Sequence, residues 1–352
     1  MSGSGSLALM PSPHRTNLRP LPPSSLAVRR LSVILAALAV ALIASASASA
    51  YPWPIKPFHT QHPIRANFGD PRTRFWNTML TDGLEGPGLF QFHNGIDIAA
   101  AEGTPVYAIL SGTARLIDGT AVSVRSPGHK FQYFHIVPAV HNGQHVVAQR
   151  TVLGHVTRTA NHVHLAEIRG RRVWNPLARG GIAPYADRTV PQVDEIFARP
   201  LTSLLEIQAP ALCGIVSLVA AAHDTPPLPV PGTFAGFPVS PALVTWSLTK
   251  LEGLKYVPEV AAADFRTTLP PLRNFWHVYA RGSYQNAPRF SNQQFMMPGR
   301  FLYDLGQTFD TRSYPNGTYE VSVRVSDMRG NWSEAVEHFK IENRADEPCL
   351  LG

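Results

Sequence analysis

Cysteine is scarce in this 352-residue chain: there are two, Cys213 and Cys349. At most one disulfide is available, joining the start of the second half to its tail; otherwise the two thiols stay unpaired. Charge is sparse as well, at 16% against 44% hydrophobic residues, which describes a chain able to bury real cores. The net charge of +7 falls to +3 once the four arginines of residues 1–50 (Arg15, Arg19, Arg29, Arg30) are set aside, because that segment holds no acid. A surplus this mild suits an anionic cell envelope and gives no argument for nucleic acid. Long helical periods are missing too. With 32 prolines and 26 glycines, the chain reads as many turns and short strands, and its length predicts two domains.

The apolar run near the N-terminus, "LSVILAALAVALI", is short of the ~20 residues that a bilayer span requires. It follows Arg29-Arg30 and precedes "ASASASA". That order predicts a signal peptide over residues 1–50, cleaved near Ala50 with Ala48 and Ala50 as the small cleavage-site residues, so that the exported chain keeps no stable membrane span. A retained anchor is the alternative. No cysteine follows the apolar core, which argues against a lipid-anchored lipoprotein.

What is present is β-type. From residue 93 to 177, "TPVYAIL", "GTARLI", "AVSVR", "FQYFHIV", "TVLGHV" and "NHVHLAEI" are separated by turn residues, which predicts a compact antiparallel sheet. The Gly/Pro-rich stretch "ARGGIAPYADRTVP", residues 178–191, is the clearest boundary. It divides a first domain, 51–180, from a linker and immunoglobulin-like β-sandwich, 181–345, with a tail at 346–352. In "GTYEVSVRVSD", Tyr319, Val321, Val323 and Val325 alternate with Glu320, Ser322, Arg324 and Ser326, the pattern of a half-buried sandwich strand. "CGIVSLVAAAHD", "ALVTWSL", "NFWHVYA" and "AVEHFKIEN" read as further strands. The expected fold class is all-β. Trp246, Trp276 and Trp332 either fill the sandwich core or offer faces on which sugars stack.

Chemistry concentrates in the first domain. His93 and Asp97 flank Gly95, whose freedom allows a turn that brings both side chains together. In "NHVHLAEI" strand alternation puts His162 and His164 on one face, with Val163 and Leu165 on the other. One of these histidines can complete a three-ligand metal site with His93 and Asp97 while the other reaches toward water or a substrate carbonyl. The competing reading is a hydrated strand face that happens to carry two histidines. His135, ending the strand "YFHIVP", is by itself an ordinary strand-edge residue. No His-Glu-x-x-His occurs, so no helix-borne glutamate is available as a base.

Taken together and in order, "HNGID", "EGTPVYA", "SGTAR", "YFHI", "NGQHVVAQRTVLGHV" and "HVHLAEI" resemble the lysostaphin-like (LytM-type) zinc metallopeptidases, which cut peptide bonds in peptidoglycan. The likeness extends to the lead-in "IRANFGDPR" and covers roughly residues 55–177. It implies zinc held by His93, Asp97 and His164, with His135 and His162 acting on water and the transition state. Two departures stand out. The loop before Tyr-x-His is the shorter "DGTAVSVRSPGHKFQ", and the acid after the His-x-His pair is displaced by one residue, so Glu167 falls on the core-facing side. Two neutral imidazoles and one carboxylate leave zinc with net positive charge, able to polarise an amide. The proton work then falls to His162 and His135, in an order that the sequence leaves open.

The function so implied is that of an exported zinc metalloendopeptidase acting on peptidoglycan or cell-wall peptides. The alternatives are a non-catalytic envelope-binding or regulatory protein that retains the peptidase fold, and a zinc peptidase acting on secreted proteins.

Overall fold

Strand His162–Arg169 is the spine of the first half, and the alternation in its sequence explains why. Val163 and Leu165 are fully buried on the face predicted to meet the core. The computed structural model describes residues 50–75, 88–201, 203–285 and 298–344; most of the signal segment, Cys349 and the tail lie outside them. Within the described residues the main sheet is antiparallel. Its strands run in the order Ile64–Ala66, Ile96–Ala99, His162–Arg169, His129–Phe134, Ala121–Ser126, Gly112–Asp118 and His145–Val146, with Arg172–Trp174 also paired to the spine. A smaller sheet is formed by Pro105–Tyr107, Val152–Val156 and Ile136–Pro138. The strands are short because Gly and Pro punctuate them. The β-rich side chains between, such as Ile96, Ile98, Phe131 and Tyr133, are all in the core.

The proline-rich lead-in belongs to this core. Trp53, Ile55 and Phe68 are buried, and the Trp53 indole donates to Pro184 O at 2.9 Å. Glu167 is buried as its register predicts, held by His129 Nδ1 at 2.9 Å and Arg169 Nε at 2.6 Å.

The second half contains two antiparallel sheets. One joins Gln192–Pro200, Ile215–His223 and Leu302–Asp310; the other joins Lys255–Asp264, Leu243–Lys250, Gly317–Ser326 and Trp332–Ile341. Tyr319, Val321, Val323 and Val325 are fully buried, as their alternation requires. Trp246 lies in the core, whereas Trp332 is 56% exposed under the Arg324 guanidinium. Cys213 is held in a disulfide. One expected strand is absent. A 3-10 turn, Leu272–Asn274, leads into "NFWHVYA", which continues as a helical turn, Phe275–Val278. Phe275 and Val278, one helical turn apart, are both buried, and Tyr279 then leaves the turn in extended conformation to bridge Tyr303.

The two halves share apolar packing, and residues 49–352 form one unit. Phe92 packs against Phe275, Phe265 and Tyr279, with ring centroids 5.0, 5.8 and 6.0 Å away. At Gly69, with φ +95°, a Cβ would strike the Phe265 ring. The Tyr279 hydroxyl donates to Gly69 O at 2.9 Å, and buried Asp70 accepts from the Ser240 amide at 2.9 Å and from its hydroxyl. Each large aromatic buried here stabilises by roughly 1.5–3 kcal/mol. The contact therefore holds the lead-in firmly against the second half.

Candidate metal centre

Cross-strand pairing builds the site. Asp97, on strand Ile96–Ala99, lies directly opposite His164 on the spine, and His164 in turn lies opposite Phe134. His93 precedes strand Ile96–Ala99, and the turn between them runs against the spine. A Cβ on Gly95 would collide with Leu165 O and the His164 ring, so only glycine permits this approach. Two residues with positive φ aim the remaining histidines: His135 itself, at 66°, where two strands meet, and Asn161, at 51°, just before His162.

The geometry is that of a ligand set. His93 Nε2, Asp97 Oδ1 and His164 Nδ1 stand 3.1, 2.8 and 3.0 Å apart pairwise. Three such atoms can each lie at the ~2.0–2.1 Å that zinc requires of nitrogen and carboxylate ligands. The His93 tautomer is set from behind. His93 Nδ1–H donates to Asn67 O at 2.7 Å, leaving the Nε2 lone pair to the site. The donor types and this orientation from behind fit zinc.

His162 is equally constrained. Its Nδ1–H donates to Ala160 O at 2.6 Å, so Nε2 carries the lone pair. His135 packs its ring 4.5 Å from the His162 ring. All five residues singled out in the sequence thus converge on one groove of about 340 Å³, which Phe134, Gln91 and Asn94 also line.

Electrostatics favour the ligating states. Burial would raise the Asp97 carboxyl, but His162, His93, Arg72 and Arg65 outweigh it and hold the group well below the usual carboxylate range. Burial, helped by Arg72, drives His93 down to about 3. Burial likewise lowers His162 to about 4 and lowers His135. The imidazoles of His93, His162 and His135 are therefore neutral near pH 7.

Two arginines complete the site. Arg65 Nη2 donates to Asp97 Oδ2 at 3.0 Å and lies 3.2 Å from His162 Nε2, while Arg72 Nη2 donates to the same Asp97 oxygen at 2.7 Å. Arg65 is buried, with its guanidinium carbon 4.0 Å from the centre of the Phe234 ring. Sequence reading leaves both arginines in the lead-in "IRANFGDPR" without a role. The available signal was a pair of arginines in a segment resembling the family's own lead-in. Phe234, 169 positions after Arg65, had none.

No family model and no curated protein matches the chain. Solved structures do. A chain of the SpoIIQ–SpoIIIAH pore-forming complex aligns at 19% identity over 39% of this chain and 94% of that one, with a TM-score of 0.30. The M23 metalloprotease pseudoalterin aligns at 15% identity over 37% and 76%, with a TM-score of 0.25. The catalytic domain of the prophage-encoded M23 protein EnpA from Enterococcus faecalis, in a mutant form, aligns at 22% over 35% and 96%, with a TM-score of 0.24. The likeness is loose and partial. It places M23 peptidase domains among the structural neighbours of part of this chain and leaves the chemistry to be argued from the groove itself.

Proposed function

We propose that the chain is an exported zinc metalloendopeptidase that hydrolyses peptide bonds in the cross-links of bacterial peptidoglycan. The observation that carries this reading is the triangle of His93 Nε2, Asp97 Oδ1 and His164 Nδ1, with His162 and His135 beside it on one open groove. Zinc held by that triangle would supply a Lewis acid for the amide carbonyl and for water. His162, fixed with Nε2 toward the groove, takes the proton from the attacking water. His135, at the groove's rim, donates to the oxyanion or the leaving amine. Arg65 holds Asp97 Oδ2 and must yield its contact with His162 Nε2 to the water.

That contact also supports a second reading, a non-catalytic envelope protein in which Arg65 keeps His162 permanently engaged. Export rests on the N-terminal signal pattern, and no described helix is long and apolar enough to cross a membrane. We read the second half as an immunoglobulin-like sandwich that docks the enzyme on the wall. A zymogram on cell-wall sacculi beside casein, with and without chelator, separates the readings. Chelator-sensitive clearing of sacculi is expected. Full zinc loading without clearing of either substrate would favour the non-catalytic protein, and clearing of casein alone would favour a peptidase of secreted proteins.

A further inference from the structure

The reaction just described gives Arg72 no task beyond sharing Asp97 Oδ2 with Arg65. Asp97 turns one oxygen toward the ligand triangle, so only Oδ2 needs an orienting partner, and Arg65 provides it. Arg65 is well placed to do so, because its side chain is 8% exposed and wedged beneath Phe234. Arg72 adds a second guanidinium to the same oxygen, and its side chain is 22% exposed. Among the described residues the Arg72 side chain makes no other hydrogen bond, and as a partly exposed residue lining the groove it has Nε and Nη1 free for water or a ligand. The lining of that groove holds a single acid, Asp97, against these two guanidiniums, and so carries more positive than negative charge before any metal is counted. A surplus of cations beside a desolvated site calls for an anion, and a guanidinium with free N–H groups suits a carboxylate.

We propose that Arg72 is a specificity residue that receives a free carboxylate of the substrate, close to the scissile amide. This rests on the peptidase reading and narrows it. The favoured cross-links are those carrying an acidic side chain or a terminal carboxylate, rather than neutral glycine-type bridges. Asp70, the other acid near the lead-in, does not compete for Arg72, because Ser240 and the Asn67 amide occupy it.

The test uses cross-linked cell-wall peptides, as isolated and after carbodiimide amidation of their carboxyl groups. Both forms are titrated calorimetrically into the mature chain stripped of metal, and their hydrolysis by the zinc-loaded protein is followed in parallel. The wild type is expected to bind the unmodified peptides roughly tenfold or more tightly than the amidated ones, with the preference shrinking as salt is raised. In Arg72→Gln the ratio should fall to about twofold or less, compared at matched zinc content because Arg72 shares Asp97 Oδ2 with Arg65. Equal affinity of the wild type for both forms overturns the proposal whether or not the variant folds. So does a preference that survives intact in a folded Arg72→Gln protein. Preference without hydrolysis would remove the peptidase reading and leave the carboxylate subsite standing.

Discussion

Among the described residues, two clusters bring three ligand-type side chains within 4.8 Å of one another, and all six residues are buried: His93, Asp97 and His164 in the first half, Asp187, Asp224 and Asp327 in the second. By proximity alone they are equals. Their partners make them different. In the first cluster a backbone carbonyl binds the far nitrogen of His93 and two arginines bind the far oxygen of Asp97, so the near atoms keep their lone pairs for the groove. In the second, the carboxylates turn inward to their own loops. Asp187 accepts from Thr189 and Tyr185, Asp327 from Arg329 N and Asn331, and Asp224 from Thr225 N. The first arrangement presents donors, whereas the second consumes acceptors to close turns where the halves meet. Burial, reinforced by Asp187, pushes Asp224 up to about 8, so it holds a proton at neutral pH and eases the crowding of like charges.

Three substitutions sharpen this contrast. The largest effect is expected from His164→Ala, which leaves two ligands, too few to hold zinc against water. Elemental analysis should fall from one zinc per chain to nearly none and hydrolysis should vanish; stoichiometric metal in the variant would remove His164 from the ligand set. Next is His162→Ala, where zinc stays and kcat/KM drops by about 10²–10⁴, the usual contribution of a positioned acid or base. Undiminished turnover there would overturn its role as base while leaving the metal site intact.

The smallest effect belongs to the second cluster. The folded-state pKa of Asp224 is raised from 3.8 to about 8, so its contribution to stability is fully present below pH 4 and is lost as pH rises through 8. Thermal unfolding of the wild type should therefore shift downward between pH 5 and pH 8.5. Asp224→Asn, neutral throughout, should lack this component and be the more stable protein at pH 8.5 by about 1–3 kcal/mol, with zinc content untouched. An unchanged pH slope in the variant would show that the carboxyl is not the group losing its proton.

The all-β class and four of the five groove residues were legible because each depends on short-range pattern; His135 came only with the family resemblance. His162 and His164 share a face by strand alternation, and the His93–Asp97 spacing needs only a glycine turn. What could not be read is long-range. Nothing in "IRANFGDPR" tells that Arg65 and Arg72 converge on Asp97, since that requires knowing which strand lies beside Ile64–Ala66. The burial of Trp53 and Ile55 was hidden by prolines that erase any period. In "NFWHVYA" the aromatic content suggested a strand, while the deciding fact was which residues the neighbouring Phe92 and Phe265 would cover.

The clamp around Gly69 and Asp70 carries a consequence for descent. A gene that acquired this second half as an interchangeable cassette would bring a foreign residue against Gly69 and leave Asp70 facing something other than Ser240. The segment so disturbed is the one bearing Arg65 and Arg72, a few residues from the groove. Shuffling at the glycine-rich boundary is therefore penalised even though the boundary looks permissive. In related chains of this architecture, Gly69 should travel with an aromatic at position 265, and Asp70 with a hydroxyl at 240.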